Sequence, residues 1–434
     1  MTNRTEAKGA GETPKSNAIT DVACPFCGLV CDDLEIAPEA GGRLKVIKNG
    51  CDRAVAGFER SVDGAKPQVA GKDVDLATAI KAATDLIKGA KLPLYGGLGT
   101  DVDGIRAVMA LADKSGGVVD HMLSEGQYRN FRVLQTTGWF MSTLTETRNR
   151  ADLIIVVASD IQKLHPRFFE RIVNVEASTI SDSPPKRTVV FLGKGLDTSG
   201  VKGSRIGEVV TIPCDGERVI EVISALKAEI KGTPLKLDEV AGVKLSEIKA
   251  LAERCRNASY GIFTWAPPSL AFPNADLTVQ TVSELVKELN IKGRFACLAL
   301  GGNDGAVSAG AVSSWQSGYP LRVGFASGKP DYDILRYFIP RMLAEGEGDV
   351  LLWLSSFTPD LGPPATKIPT IVLGTPGLKL QGTPAVFIPI GTPGVDHSGR
   401  IVRVDNVVSL PLKNLHRSTL PKAADILAAI ELAI

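Results

Sequence analysis

Charge of one sign is scarce in this sequence: 49 basic residues face 48 acidic ones, for a net charge of +1. A nucleic acid or an anionic membrane needs a basic surface, so neither is expected as the main partner. No apolar run reaches the length needed to cross a bilayer. The stretch Met1 to Asn17 has no signal-peptide core; it reads as a disordered arm, and a cytoplasmic location is expected. Histidine is rare as well. His121, His165, His397 and His416 share no metal-ligand spacing, and no H-x-x-x-H pair or Ser/His/Asp or Cys/His hydrolase pattern is evident. Aromatics make up only 6% of a chain that is 44% hydrophobic, and 434 residues suffice for two or three domains with several cores.

What is present is a cysteine quartet. The segment Cys24-Pro25-Phe26-Cys27-Gly28-Leu29-Val30-Cys31-Asp32-Asp33 is followed by Cys51, giving C-x2-C-x3-C-x19-C. A close C-x2-C pair presents two thiolates to one soft metal centre, and two more from flanking loops complete a four-thiolate site. Such a site suits an iron–sulfur cluster or zinc. The x3 gap followed by a long one favours a 4Fe–4S cluster over a zinc ribbon; zinc and an empty quartet remain alternatives. Cys214, Cys255 and Cys297 lie scattered in apolar segments and read as buried small hydrophobes. Nothing looks secreted, so disulfides are not expected.

The pattern predicts a Cys-rich β unit over 18–62, with strands at Leu34–Ile36 and Leu44–Ile47 around Gly41-Gly42. Alone it is too small to fold without a metal or a neighbouring domain. A strand–helix rhythm then runs through 63–265 and 266–374, with a C-terminal segment at 375–434. Continuous apolar runs at Leu153–Ala158, Thr188–Leu192 and Val350–Leu354 read as buried parallel strands, and Leu277–Leu289 as an amphipathic helix. The fold class is α/β with layered domains and mostly parallel sheets. In such folds ligands sit beyond the carboxyl ends of the strands.

Gly96-Gly97-Leu98-Gly99, between a strand and a helix, can bring backbone N–H groups to a phosphate, although the G-x-G-x-x-G spacing is incomplete. That makes Gly97 and Gly99 candidate cofactor contacts. Asn149 precedes the strand Leu153–Ala158, and Leu164-His165-Pro166-Arg167 follows it; Asn149, His165 and Arg167 are therefore candidate contacts too. Ser124 reads as the cap of the next helix, with Glu125 favouring its positive end.

Cys-Pro-Phe-Cys-Gly-Leu-Val-Cys-Asp-Asp-Leu-Glu, from Cys24 to Glu35, resembles the start of the B subunit of formylmethanofuran dehydrogenase, a short branch of the molybdopterin oxidoreductases. Later segments resemble it too: Thr145 to Asp152, Leu164 to Arg167, Trp315 to Pro320, and Gly391 to Asp396. The resemblance implies a molybdopterin oxidoreductase-like fold, a 4Fe–4S cluster on Cys24, Cys27, Cys31 and Cys51, and a molybdenum or tungsten bis-pterin between α/β domains. It also implies a cysteine or selenocysteine metal ligand in a Cys-His-Gly segment at a helix start.

Here the matching positions read Ser124-Glu125-Gly126, and no cysteine lies between Cys51 and Cys214. A serine hydroxyl is harder and far less acidic than a thiolate. Glu125 adds negative charge beside the place where formate must bind, and two unbridged anions in a poorly solvated site repel strongly. The family's active-site arginine finds no counterpart in Leu298-Ala299-Leu300-Gly301-Gly302-Asn303. These departures put a Mo or W molybdopterin in doubt and leave no catalytic residue. They are similar to what is expected of the B subunit of the bacterial formyltransferase/hydrolase complex, which works in tetrahydromethanopterin-linked oxidation of formaldehyde to formate. There a formyl group moves between carriers without electron transfer. The resemblance implies a non-redox structural subunit whose partners are amidohydrolase-like A, C and the formyltransferase D. The competing expectation is an active formylmethanofuran or formate dehydrogenase subunit with Ser124 on the metal.

Overall fold

A computed structural model describes residues 17–61, 64–181 and 183–434. The expected arm falls, apart from Asn17, outside the described residues. The short apolar alternation at the start forms a three-stranded antiparallel sheet of Ile19–Val22, Leu34–Pro38 and Leu44–Lys48. Its apolar side chains have no core of their own. Val22, Leu34, Ile36 and the first three cysteines are continuous with Ile154, Val156, Val189 and Phe191 of the neighbouring α/β layer.

The continuous apolar runs become two parallel sheets. One is five-stranded and wholly parallel, in the spatial order Ile206–Ile212, Arg187–Leu192, Leu153–Val157, Gly261–Trp265 and Phe295–Ala299. Leu153 to Val157 are all buried, as a strand covered on both faces must be. The other sheet is nine-stranded. Its parallel centre is Val118–Val119, Pro93–Gly99, Val350–Ser355, Thr370–Gly374 and Val386–Pro389, with short antiparallel strands closing both edges. The strand Val323–Gly324, next to the edge strand Asp331–Tyr332, pairs with Val118–Val119, so the whole five-stranded layer is inserted between two neighbours of the larger sheet.

The sheets thus do not follow sequence order. Residues 63–265 and 266–374 each supply strands to both sheets. The physical reason is that strand runs of similar length and apolarity carry no mark of which sheet they join. Val350–Leu354 lies fully in the core. Helix Ala306–Ser317 has no apolar stripe to announce it. Ala, Gly and Ser let it pack closely among buried elements, and Gly305 before it takes a left-handed φ of 72°.

Candidate functional site

The cysteine loop is built by close approach. Cys24 N–H donates to the Cys31 carbonyl at 2.8 Å, and Val30 takes a left-handed φ of 47° to close the turn. Gly28 lies against the other layer: a Cβ there would meet the Gly301 carbonyl oxygen at 2.2 Å, and its own carbonyl accepts from Val404 N–H at 2.8 Å. Cys51 precedes helix Asp52–Phe58, whose Gly57 leaves room for Phe26; Phe26 in turn meets Phe58 edge-on at 4.9 Å. All four cysteines line one small cavity together with Asn49, Arg53, Pro166 and Arg167.

Burial raises the Cys24 thiol well above its ordinary range, and the neighbouring cysteines raise it further. Burial pushes Cys27 to about 12, and Cys31 is raised for the same first reason while Arg171 and Arg167 pull it down. Buried thiols of this kind become thiolates when a metal displaces their protons. The donor set therefore fits a thiolate-bound group. Among the described residues no three His, Cys, Asp or Glu side chains are arranged to hold a single metal ion. A tetrahedral zinc ion draws every sulfur to about 2.3 Å of one point, and a cluster spreads the four thiolates over its corners.

The second candidate position is Ser124. It opens helix Ser124–Thr136 as its first residue, and Leu123 holds the cap position, so Ser124 does not cap this helix as the sequence suggests. Its hydroxyl is committed elsewhere. It accepts from Arg322, Nη2 lying at 3.1 Å, and its proximity to the Asp120 carboxylate helps hold that group's pKa down. Arg322 also donates to the Ile334 carbonyl, sits 3.7 Å from Asp120, and is stacked between the Tyr128 and Phe338 rings at 4.0 and 4.1 Å. Burial raises the Asp120 carboxyl to about 6 against the pull of Arg322.

A strained turn aims that arginine. Leu321 and Arg322 both take left-handed φ values, 70° and 49°. Tyr128 donates to the carbonyls of Pro320 and Leu321, and Ser313 Oγ accepts from Leu321 N–H at 3.0 Å. Glu125 points to solvent and pairs with Arg129 at 2.9 Å, so its charge is partnered rather than left facing a substrate.

The remaining predicted contacts are dispersed. His165 is buried; its Nε2 bonds the Leu300 carbonyl at 3.1 Å, and its Nδ1 has no partner among the described residues. Burial lowers its pKa to about 4, and His121, bonded to the Asp304 carbonyl, is lowered likewise. Asn149 accepts from Thr179 N–H. Gly97 and Gly99 lie inside the strand Pro93–Gly99 rather than in a turn, and a Cβ on Gly97 would meet the Leu354 carbonyl oxygen at 2.5 Å. Their own carbonyls accept from Met122 and Ser356. Arg167 reaches the cysteine loops instead of the strand ends.

Two cavities border these positions. The cavity touching Leu123, Gln127, His165 and Leu300 to Asn303 holds about 20 Å³. A larger one, about 230 Å³, is walled mainly by apolar groups including Phe131, Leu134, Trp139, Met141 and Trp315. Arg322, Asp120 and Asp33 escaped the sequence argument. Asp33 had a visible signal, following Cys31 by two residues, but Arg322 had none, since it lies 198 residues from Ser124.

No protein-family model matches this chain. It is 28% identical over 407 residues to the B subunit of the tungsten-containing formylmethanofuran dehydrogenase 2 of Methanocaldococcus jannaschii, covering 90% of this chain and 92% of that one. It is also 28% identical over 338 residues to the B subunit of the formyltransferase/hydrolase complex of Methylorubrum extorquens, covering 77% and 87%. A solved structure of that complex with methylofuran aligns with a TM-score of 0.70 and 25% identity, over 85% of this chain and 98% of the matched one. Acetylene hydratase from Pelobacter acetylenicus aligns with a TM-score of 0.62 at 10% identity, over 95% and 69%, a likeness of fold alone. The molybdopterin oxidoreductase-like α/β fold expected from the sequence therefore stands, and over most of its length the chain is similar in sequence to the B subunits of formylmethanofuran dehydrogenase and of the formyltransferase/hydrolase complex.

Proposed function

We propose that this chain is the non-redox structural B subunit of a formyltransferase/hydrolase complex in tetrahydromethanopterin-linked one-carbon metabolism. It supports the hydrolase and transferase subunits and carries no redox step of its own. The Ser124 hydroxyl carries this reading. A serine bound to a metal must give up its proton and turn its oxygen to the metal, but here that oxygen is held between Asp120 and Arg322 in a buried network. Turning that oxygen away would cost the buried Arg322 guanidinium one of its hydrogen-bond acceptors. The quartet Cys24, Cys27, Cys31 and Cys51 is assigned to a 4Fe–4S cluster that holds the N-terminal unit to the rest of the chain.

The test is viologen-coupled formate oxidation together with elemental analysis, on the complex purified without oxygen. The expected result is no turnover and neither molybdenum nor tungsten. Stoichiometric Mo or W, with turnover abolished in Ser124→Ala, would overturn the proposal.

A further inference from the structure

Arg167 lies just beyond the strand Leu153–Val157, in the five-stranded layer, yet all its bonds but those to Glu170 cross to the N-terminal unit. Nη1 donates to Asp33 Oδ1 and to the Asn49 carbonyl, both at 2.7 Å, and Nη2 to Asp33 Oδ2 at 2.8 Å. Nε and Nη2 also bond the Glu170 carboxylate, so all five N–H groups are in use. Asp33 follows Cys31 by two residues and Asn49 precedes Cys51 by two. One planar fork therefore fixes the spacing between the loop that carries the third cysteine and the loop that carries the fourth. Asn49 adds its own tie, Nδ2 donating to the Asp33 carbonyl at 2.8 Å from a left-handed φ of 61°. Arg171, four residues on, grips Asp33 and Asp32 but not the Cys51 loop.

We infer that Arg167 is the positioning residue of the cysteine quartet, coupling assembly of the metal group to docking of the N-terminal unit on the five-stranded layer. This rests on the quartet being a cluster site. The coupling is reciprocal: whatever metal binding adds to docking, docking adds to metal binding. Lysine cannot replace the fork, because its three donors radiate from one nitrogen and cannot match the five planar donors that Arg167 spreads over Asp33, Asn49 and Glu170.

The test reconstitutes the full-length chain with iron and sulfide without oxygen, in the native form and as Arg167→Gln, Arg167→Lys and Arg171→Gln. The readouts are iron content, the paramagnetic spectrum of the reduced cluster, and the rate of cluster loss to a chelator. Loss of an outer-sphere partner costs about 10- to 100-fold in metal affinity. Arg167→Gln and Arg167→Lys should therefore both lose the cluster at least about tenfold faster, with an altered spectrum. Arg171→Gln, which removes the same charge but not the link to Asn49, should stay near native. Equal loss in the two Gln variants would make charge the cause and overturn the inference, as would full retention in Arg167→Gln. If Arg167→Gln does not fold, Asp33→Asn, which keeps the shape and weakens the grip, must show the same direction. A native chain that assembles no cluster sinks the cluster assignment itself, a result distinct from native loading with an unaffected variant.

Discussion

Replacing Arg322 by Met removes the guanidinium and keeps the apolar stem between Tyr128 and Phe338. Part of the loss does not depend on pH: two desolvated cation–π contacts and a bond to the Ile334 carbonyl, together about 3 kcal/mol. The rest does. In the native chain Asp120 titrates at about 6, raised by burial from an unfolded value near 3.9. Without the positive charge beside it, its pKa rises further. Below about pH 6 the folded forms of both chains hold the proton and the unfolded forms behave alike, so the difference between them is flat. Above that point the native folded state has released its proton while the variant keeps its own. The variant then loses about 1.4 kcal/mol per pH unit until its own pKa is reached. The penalty should grow from about 3 kcal/mol at pH 5 to about 5 kcal/mol at pH 7.5, near the cost of breaking a buried ion pair. Urea midpoints and m values at several pH values measure this, and adding Asp120→Asn should erase the pH dependence. A penalty that is constant with pH, or larger in acid, refutes the account of Asp120 and Arg322 as a buried charge pair.

Two further outcomes follow from the same structure. Burial lowers His121 and His165 to about 4 from an unfolded value near 6.5, so the stability tied to their neutral forms is complete above about pH 6.5 and is lost as pH falls toward 4, up to about 3 kcal/mol each; His165→Gln should flatten that acid limb in urea titrations, and an unchanged limb rejects the assignment. Gly28→Ala drives a methyl group against the Gly301 carbonyl oxygen and should cost about 3 kcal/mol, seen as early thermolysin cleavage within the N-terminal unit; native resistance would show that the cysteine loop does not dock there.

Much of the framework was legible because period and apolarity are local properties. Leu153–Val157, Val350–Ser355 and helix Ala275–Leu289 stand where their sequence runs place them. The four cysteines that the spacing groups together line one cavity. What stayed hidden depends on pairing across the chain. Gly97 and Gly99 looked like a phosphate turn because glycine marks turns, whereas here glycine lets Leu354 and Trp353 of the next strand come close. Arg167 looked like a ligand contact because it follows a strand, whereas Asp33 and Asn49, far away in sequence, claim its donors. Arg322 is visible only through its turn, in which two successive non-glycine residues hold positive φ.

The two sites differ in what they require, which on the proposed reading lets one chain keep a cysteine quartet without a redox position at Ser124. The Ser124 position has a substitute inside the protein. Arg322 supplies positive charge and Asp120 the balancing carboxylate, so folding there needs no metal. No side chain can replace the quartet in the same way. Three of its cysteines are buried in a core shared with Ile154, Val156 and Phe191, on a unit with no separate core to hold it in place. A group bound there contributes its binding free energy to folding whether or not electrons pass through it. On the proposed reading, a docking role alone is sufficient reason to keep Cys24, Cys27, Cys31 and Cys51. On this account the cost of removing the metal should appear as undocking of the N-terminal unit, with the two parallel sheets left intact.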